Sequence, residues 1–145
     1  MAELIVPAAL KQLDNVVDFV NAELKTASCP MKQQMQLAAA VEEIFVNIAS
    51  YAYQGESGNV TVSCEIEEVP PAAVIQFQDG GVPYNPLEKD DPDTTLKASE
   101  REIGGLGIFL VKKTMDDVSY QYKDKRNILT LKKYLNKPGF FEIAK

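Results

Sequence analysis

No histidine occurs in this 145-residue chain. That absence excludes imidazole acid–base catalysis, a histidine metal site and a phosphohistidine intermediate on the chain itself. Cysteine is scarce: Cys29 and Cys64 share no motif spacing, so a reduced, cytoplasmic setting is expected. No run of eighteen apolar residues exists, so no membrane-spanning helix is expected. The opening Met1-Ala2-Glu3-Leu4-Ile5-Val6-Pro7 has neither a basic stretch nor a long apolar one, and does not read as a signal peptide. Positive charge is also in short supply. Fifteen Lys and Arg face twenty-one Asp and Glu, for a net −6, which argues against nucleic acid as a direct partner. What is present is 46% hydrophobic residues, enough to build the core of one domain over 1–145.

Leu4 to Val6 reads as a short strand, with Pro7 suited to the first turn of a helix. Leu10, Leu13, Val17, Val20 and Leu24 recur at helical spacing, which predicts a helix over 8–27. Ser28-Cys29-Pro30 breaks it and opens a second helix, expected to reach about Tyr53, with Leu37, Val41, Ile44 and Ile48 as its core stripe. Val60, Val62, Cys64 and Ile66 alternate with polar residues as in a half-buried strand. Pro70-Pro71 turns the chain into a second strand, expected to pair antiparallel with the first and to end at Asp79. Residues 83–103 form a polar stretch without apolar period, and a loop of that length is usually functional. A short helix follows Gly107, marked by Ile108, Val111 and Met115. A hairpin of 118–122 and 128–131 then turns across Asp124-Lys125-Arg126-Asn127.

Three features stand in a fixed order. Glu43 and Asn47 lie one turn apart on one helix face, among small and polar neighbours. A metal ion with bound phosphates would satisfy both, and so would a cap or an internal hydrogen bond. Asp79 shares the core phase of its strand with Ala73, Ile75 and Phe77, and Gly80-Gly81 follow. A carboxylate set inward needs a partner. It can accept from an exocyclic amine such as that of adenine, or it can serve an ordinary Asp-Gly turn. Gly104-Gly105-Leu106-Gly107 precedes a helix, where backbone N–H groups attract anions. It also reads as a hinge, and it lacks the Gly-Lys-Ser/Thr ending of a Walker loop.

In this order the motifs resemble the GHKL superfamily of ATPases, over roughly residues 35–132. Glu43-Ile-Phe-Val-Asn47, Asp79-Gly-Gly-Val-Pro-Tyr-Asn-Pro86 and Gly104-Gly-Leu-Gly-Ile-Phe-Leu-Val111 are most similar to those of the bacterial anti-sigma factor serine/threonine kinases. The resemblance implies an α+β fold, a Bergerat-type α/β sandwich. Its mixed, mostly antiparallel sheet is covered on one face by about three helices, with a mobile ATP lid over about 86–104. The residues themselves leave two readings for the tail over 137–145, which carries Phe140, Phe141 and Ile143: docked on the surface, or loose. The resemblance implies ATP and Mg²⁺ as cofactors. Asn47 would hold Mg²⁺, Glu43 would be the catalytic base, and Asp79 would bind the adenine amine with Gly81 allowing close approach. Gly105, Leu106 and Gly107 would meet the phosphates, Thr130 would sit near the adenine, and Arg101 and Lys97 of the lid are phosphate candidates. Implied partners are a small STAS-type anti-anti-sigma protein, a sigma factor, and a second copy held through residues 1–27. The chain departs from the family pattern at Tyr51, often histidine, and at Tyr84-Asn85. The lid is acidic, with six acids and three bases between Pro86 and Gly105. A competing reading is a switch that binds ATP or ADP and regulates by contact alone. A histidine-kinase catalytic module fits less well without histidine, and a pure scaffold predicts no nucleotide.

Overall fold

The computed structural model of the protein describes residues 1–88 and 105–135. The elements run β1 (Ala2–Pro7), α1 (Leu13–Thr26), α2 (Met31–Tyr51), β2 (Asn59–Glu68), β3 (Pro71–Asp79), α3 (Gly105–Thr114), β4 (Asp117–Lys123) and β5 (Arg126–Tyr134). Short 3-10 turns at Leu10–Gln12 and Pro86–Glu88 join them. The strands form one sheet in the order β1-β2-β3-β5-β4. The sheet expected as mostly antiparallel is so: every pairing among the described residues is antiparallel.

Register explains the single covered face. Leu4, Val62, Phe77, Leu129 and Tyr120 lie opposite one another across the five strands, so they point the same way. The buried cluster joins this face to Val16, Val20 and Leu24 of α1, Leu37, Val41, Ile44 and Phe45 of α2, and Ile108 and Val111 of α3. Burial of such side chains is worth roughly 1.5–3 kcal/mol each before ordering entropy is counted.

Two boundaries differ from expectation. Pro7 is not in a helix: it ends β1 opposite Asn59, and Ala8 N donates to Gly58 O at 2.8 Å, which carries the edge one residue further. The helix therefore starts at Leu13, and Leu10 stays 59% exposed. The β4–β5 turn is tighter than four residues. Asp124 and Lys125 alone make it, at φ 54° and 64°, the geometry of a two-residue type I′ hairpin. Arg126 and Asn127 thereby join β5, and Asn127 pairs with Asp79.

Neither cysteine forms a disulfide, and both are buried. Burial, and then the Glu23 carboxylate, push the Cys64 thiol up from its ordinary 9.0 to about 11. A raised thiol favours the neutral form in the folded state. Its contribution to stability is whole below pH 9 and is lost as pH rises toward 11. Chemical denaturation should therefore show wild type losing more stability across that interval than Cys64→Ala. Equal losses would contradict the assignment. No helix among the described residues is long and apolar enough to cross a membrane.

Candidate functional site

α2 carries the first two side chains. Asn47 is buried, and its Nδ2 donates to Glu43 O at 2.8 Å and to Glu43 Oε1 at 3.0 Å. The spacing of four residues makes this bond, because such side chains stack on one helix face. The Glu43 carboxylate packs against Gly107 so closely that a Cβ there would stand 2.1 Å from Glu43 Cδ. Gly105 and Gly107 do not precede the helix as expected. They lie within its first turn, where N–H groups lack intrahelical acceptors.

Asp79 ends β3 at 4% exposure. Its Oδ1 accepts from Gly81 N at 2.9 Å and from Asn127 Nδ2 at 2.9 Å. The turn after it is moored to the end of α2. Val82 N donates to Ala52 O at 2.8 Å, and Gly80 N donates to the Tyr53 hydroxyl at 2.9 Å. That hydroxyl in turn donates to Asn59 O at 2.6 Å. Gly81 does permit a close approach, but to Ala52 rather than to open space: a Cβ would sit 2.1 Å from Ala52 O.

Between α2 and the β3–β5–β4 side of the sheet lies a cleft of about 400 Å³, counting its open mouth. Ile44, Ile48, Phe77 and Leu129 make its apolar lining, and Asn47, Asp79, Asn127 and Tyr120 supply polar groups. Apolar walls with a few placed polar groups are the usual makeup of a small-molecule site. Partial burial, with the Asp79 carboxylate adding to it, raises the Tyr120 hydroxyl above its ordinary 10.0, while the Tyr84 N–H acts the other way. Tyr120 therefore keeps its proton and donates it to Asn127 Oδ1. A wider groove opens on the other side of Glu43, between α2 and α3, lined by Met35, Leu110 and Gly107.

The structure thus brings Glu43, Asn47 and Gly107 together, and sets Asp79 in the cleft that Asn47 also lines. It does not bring Thr130 there. Thr130 pairs with Gln76, not with Phe77 or Asp79, and its hydroxyl accepts from Gln76 Nε2 at 3.2 Å on the opposite face of the sheet. Strand alternation gives the cleft to Asn127 and Leu129 instead. Arg101, Lys97, most of the lid (89–104) and the tail lie outside the described residues. Asn127, Tyr53 and Tyr120 were missed by sequence reasoning. For Asn127 a signal existed: it is a polar residue in phase with Leu129 and Leu131, the same pattern that marks Asp79.

A family model described as a histidine kinase-like ATPase domain matches residues 6–133. The chain belongs to that family. Among its relatives, the serine-protein kinase RsbW of Listeria monocytogenes is 32% identical over 114 residues, covering 75% of this chain and 71% of the relative. The serine-protein kinase RsbW of Listeria innocua is 30% identical over the same shares. Solved structures share the fold. The RsbU and RsbW domains of Rv1364c from Mycobacterium tuberculosis superpose with a TM-score of 0.63 at 11% identity, over 95% of this chain and 34% of that longer one. The Acinetobacter baumannii histidine kinase AdeS gives 0.51 at 14%, over 94% of this chain and 70% of its own. A histidine kinase-like ATPase domain with no histidine of its own has its acidic and amide groups on α2 and β3.

Proposed function

We propose that the chain binds Mg-ATP and transfers phosphate to a serine or threonine of a partner protein. The observation that carries this reading is the joining of Glu43 and Asn47 by a 3.0 Å hydrogen bond, with the Glu43 carboxylate set against the first turn of α3. Both bonds from Asn47 to Glu43 use Nδ2, so Oδ1 is the hard oxygen that suits Mg²⁺. Mg²⁺ commonly takes one or two protein oxygens and keeps waters and phosphate oxygens as its other ligands. Bound there, it supplies charge neutralisation across the phosphates. The α3 first turn offers its N–H groups to the same anions. Asp79 accepts from the adenine amine, while Ile44, Ile48 and Phe77 enclose the ring. Glu43 orients the acceptor hydroxyl and takes its proton as the oxygen bonds to phosphorus and ADP departs.

The name serine-protein kinase on the Listeria relatives supports a serine acceptor. The partners we assign are a STAS-type anti-anti-sigma protein as acceptor and a sigma factor held by contact. A homodimer through residues 1–27 would use the outer edge of β1, where Ile5 is 63% exposed. Of the stripe expected over 8–27, Val20 and Leu24 are buried in the core and Leu13 and Val17 pack against it, which leaves Leu10 exposed.

Calorimetry with ATP, with and without Mg²⁺, tests the site. Asp79→Asn keeps the shape and one acceptor oxygen but puts an amide NH2 in place of the other, the one facing a ligand, and should weaken ATP binding by about tenfold or more. Unchanged affinity would move the nucleobase elsewhere. Incubation with labelled ATP and the cognate STAS-type protein tests transfer: label on the protein supports the kinase, and binding without transfer supports the contact-only switch.

A further inference from the structure

Asn127 uses its whole hydrogen-bonding capacity inside the protein. Its amide N–H groups go to Asp79 Oδ1 at 2.9 Å and to Val82 O at 2.9 Å, with a longer approach to Gly81 O at 3.5 Å. Its carbonyl oxygen accepts from Tyr84 N at 3.1 Å and from the Tyr120 hydroxyl. An amide has two donors and two acceptor lone pairs, so all four are engaged. The side chain is 6% exposed and lines the cleft, yet it has no free group to give a ligand. What it governs is Asp79. The terminal torsion of an aspartate is soft. Here two donors, Gly81 N and Asn127 Nδ2, hold the same oxygen, Oδ1. Oδ2 is the oxygen left for a ligand.

We propose that Asn127 is the positioning residue for nucleobase selectivity: it pins the Asp79 carboxylate so that a fixed acceptor faces the purine edge. The inference rests on the nucleotide reading above. A fixed acceptor favours a 6-amino purine and disfavours a 6-oxo purine, whose carbonyl meets another lone pair. If the carboxylate could swing, a 6-oxo purine would be tolerated by rotating it away. Loss of Asn127 should therefore narrow the preference, not merely weaken binding.

The test is calorimetry of ADP and GDP on the full chain in wild type, Asn127→Thr and Asn127→Val. Thr and Val have nearly the same shape and β-branching. They differ by one hydroxyl donor able to reach Asp79. Wild type and Asn127→Thr should prefer ADP over GDP by about tenfold or more, as one mispaired buried polar group gives. In Asn127→Val the ratio should fall to within about threefold, with both variants melting cooperatively. Equal ratios in the Thr and Val variants would overturn the inference. Should the Val variant not fold, Asn127→Ser against Asn127→Ala poses the same comparison. Wild type that binds neither nucleotide would overturn the nucleotide reading and this inference with it. Wild type that prefers ADP, with Val equal to Thr, would overturn this inference alone.

Discussion

Glu43→Ala is expected to lower phosphoryl transfer by about 10²–10⁴-fold, the usual contribution of a positioned general base, while ATP affinity changes by less than about threefold. The two effects separate because the groups are separate. On the proposed reading, Asp79 and the apolar lining of the cleft would hold the adenine, and Glu43 is not among the residues that line that cleft. Nor should the variant displace Asn47, whose Nδ2 also donates to the Glu43 backbone carbonyl at 2.8 Å, an atom that alanine keeps. Glu43→Gln is the sharper control. Its amide oxygen can still accept from Asn47, but it takes no proton at neutral pH. Single-turnover transfer of labelled phosphate, with calorimetry alongside, distinguishes the cases. Transfer retained within threefold in the Ala variant would remove Glu43 from the chemistry.

The second large effect is a contrast between two glycines. At Gly81 a Cβ would stand 2.1 Å from Ala52 O, 2.5 Å from Ala52 C and 2.8 Å from Ala52 Cβ. Backbone cannot swing aside as a side chain can. Relief would break the 2.8 Å bond from Val82 N to Ala52 O and lift the Asp79 turn off the end of α2. Overpacking of this kind costs about 1–3 kcal/mol or more, so Gly81→Ala should lower the melting temperature by roughly 5 °C or more and weaken ATP binding with it. At Gly107 the obstacle is the tip of Glu43, a flexible side chain. Alanine is also the better helix former, by up to about 1 kcal/mol in a helix interior and by less in a first turn such as this one. Gly107→Ala should melt at or above the wild-type temperature and still transfer poorly, because its methyl displaces the Glu43 carboxylate. Calorimetric melting and the transfer assay read both. A Gly81→Ala protein as stable as wild type would refute the packing account.

Much of the layout could be read locally. Period-two alternation marks β2 and β3, and it put Asp79 on the inner face, where it is buried. Helical spacing of Leu37, Val41 and Ile44 marks the core side of α2, and all three are buried. Those features depend on a few neighbouring residues and on which side must be dry. The α1 start was misjudged because proline fits equally at a strand's end and a helix's first turn, and only the bond from Ala8 N to Gly58 O decides between them.

Residue order alone was enough for the ingredients: an inward acid before two glycines, an acid and an amide one turn apart, and a glycine pair at a helix start. Long-range pairing decided what they meet. Asn127 reaches Asp79 across 48 positions only because a two-residue turn sets the β5 register. One step of that register separates Asn127, in the cleft, from Ile128, on the other face, and the same alternation sends Thr130 to the face away from the cleft. Gly81 owes its necessity to Ala52, a neighbour that no local pattern names. Periodicity encodes which way a side chain points; its partner is settled only when distant backbone segments come into hydrogen-bonded register.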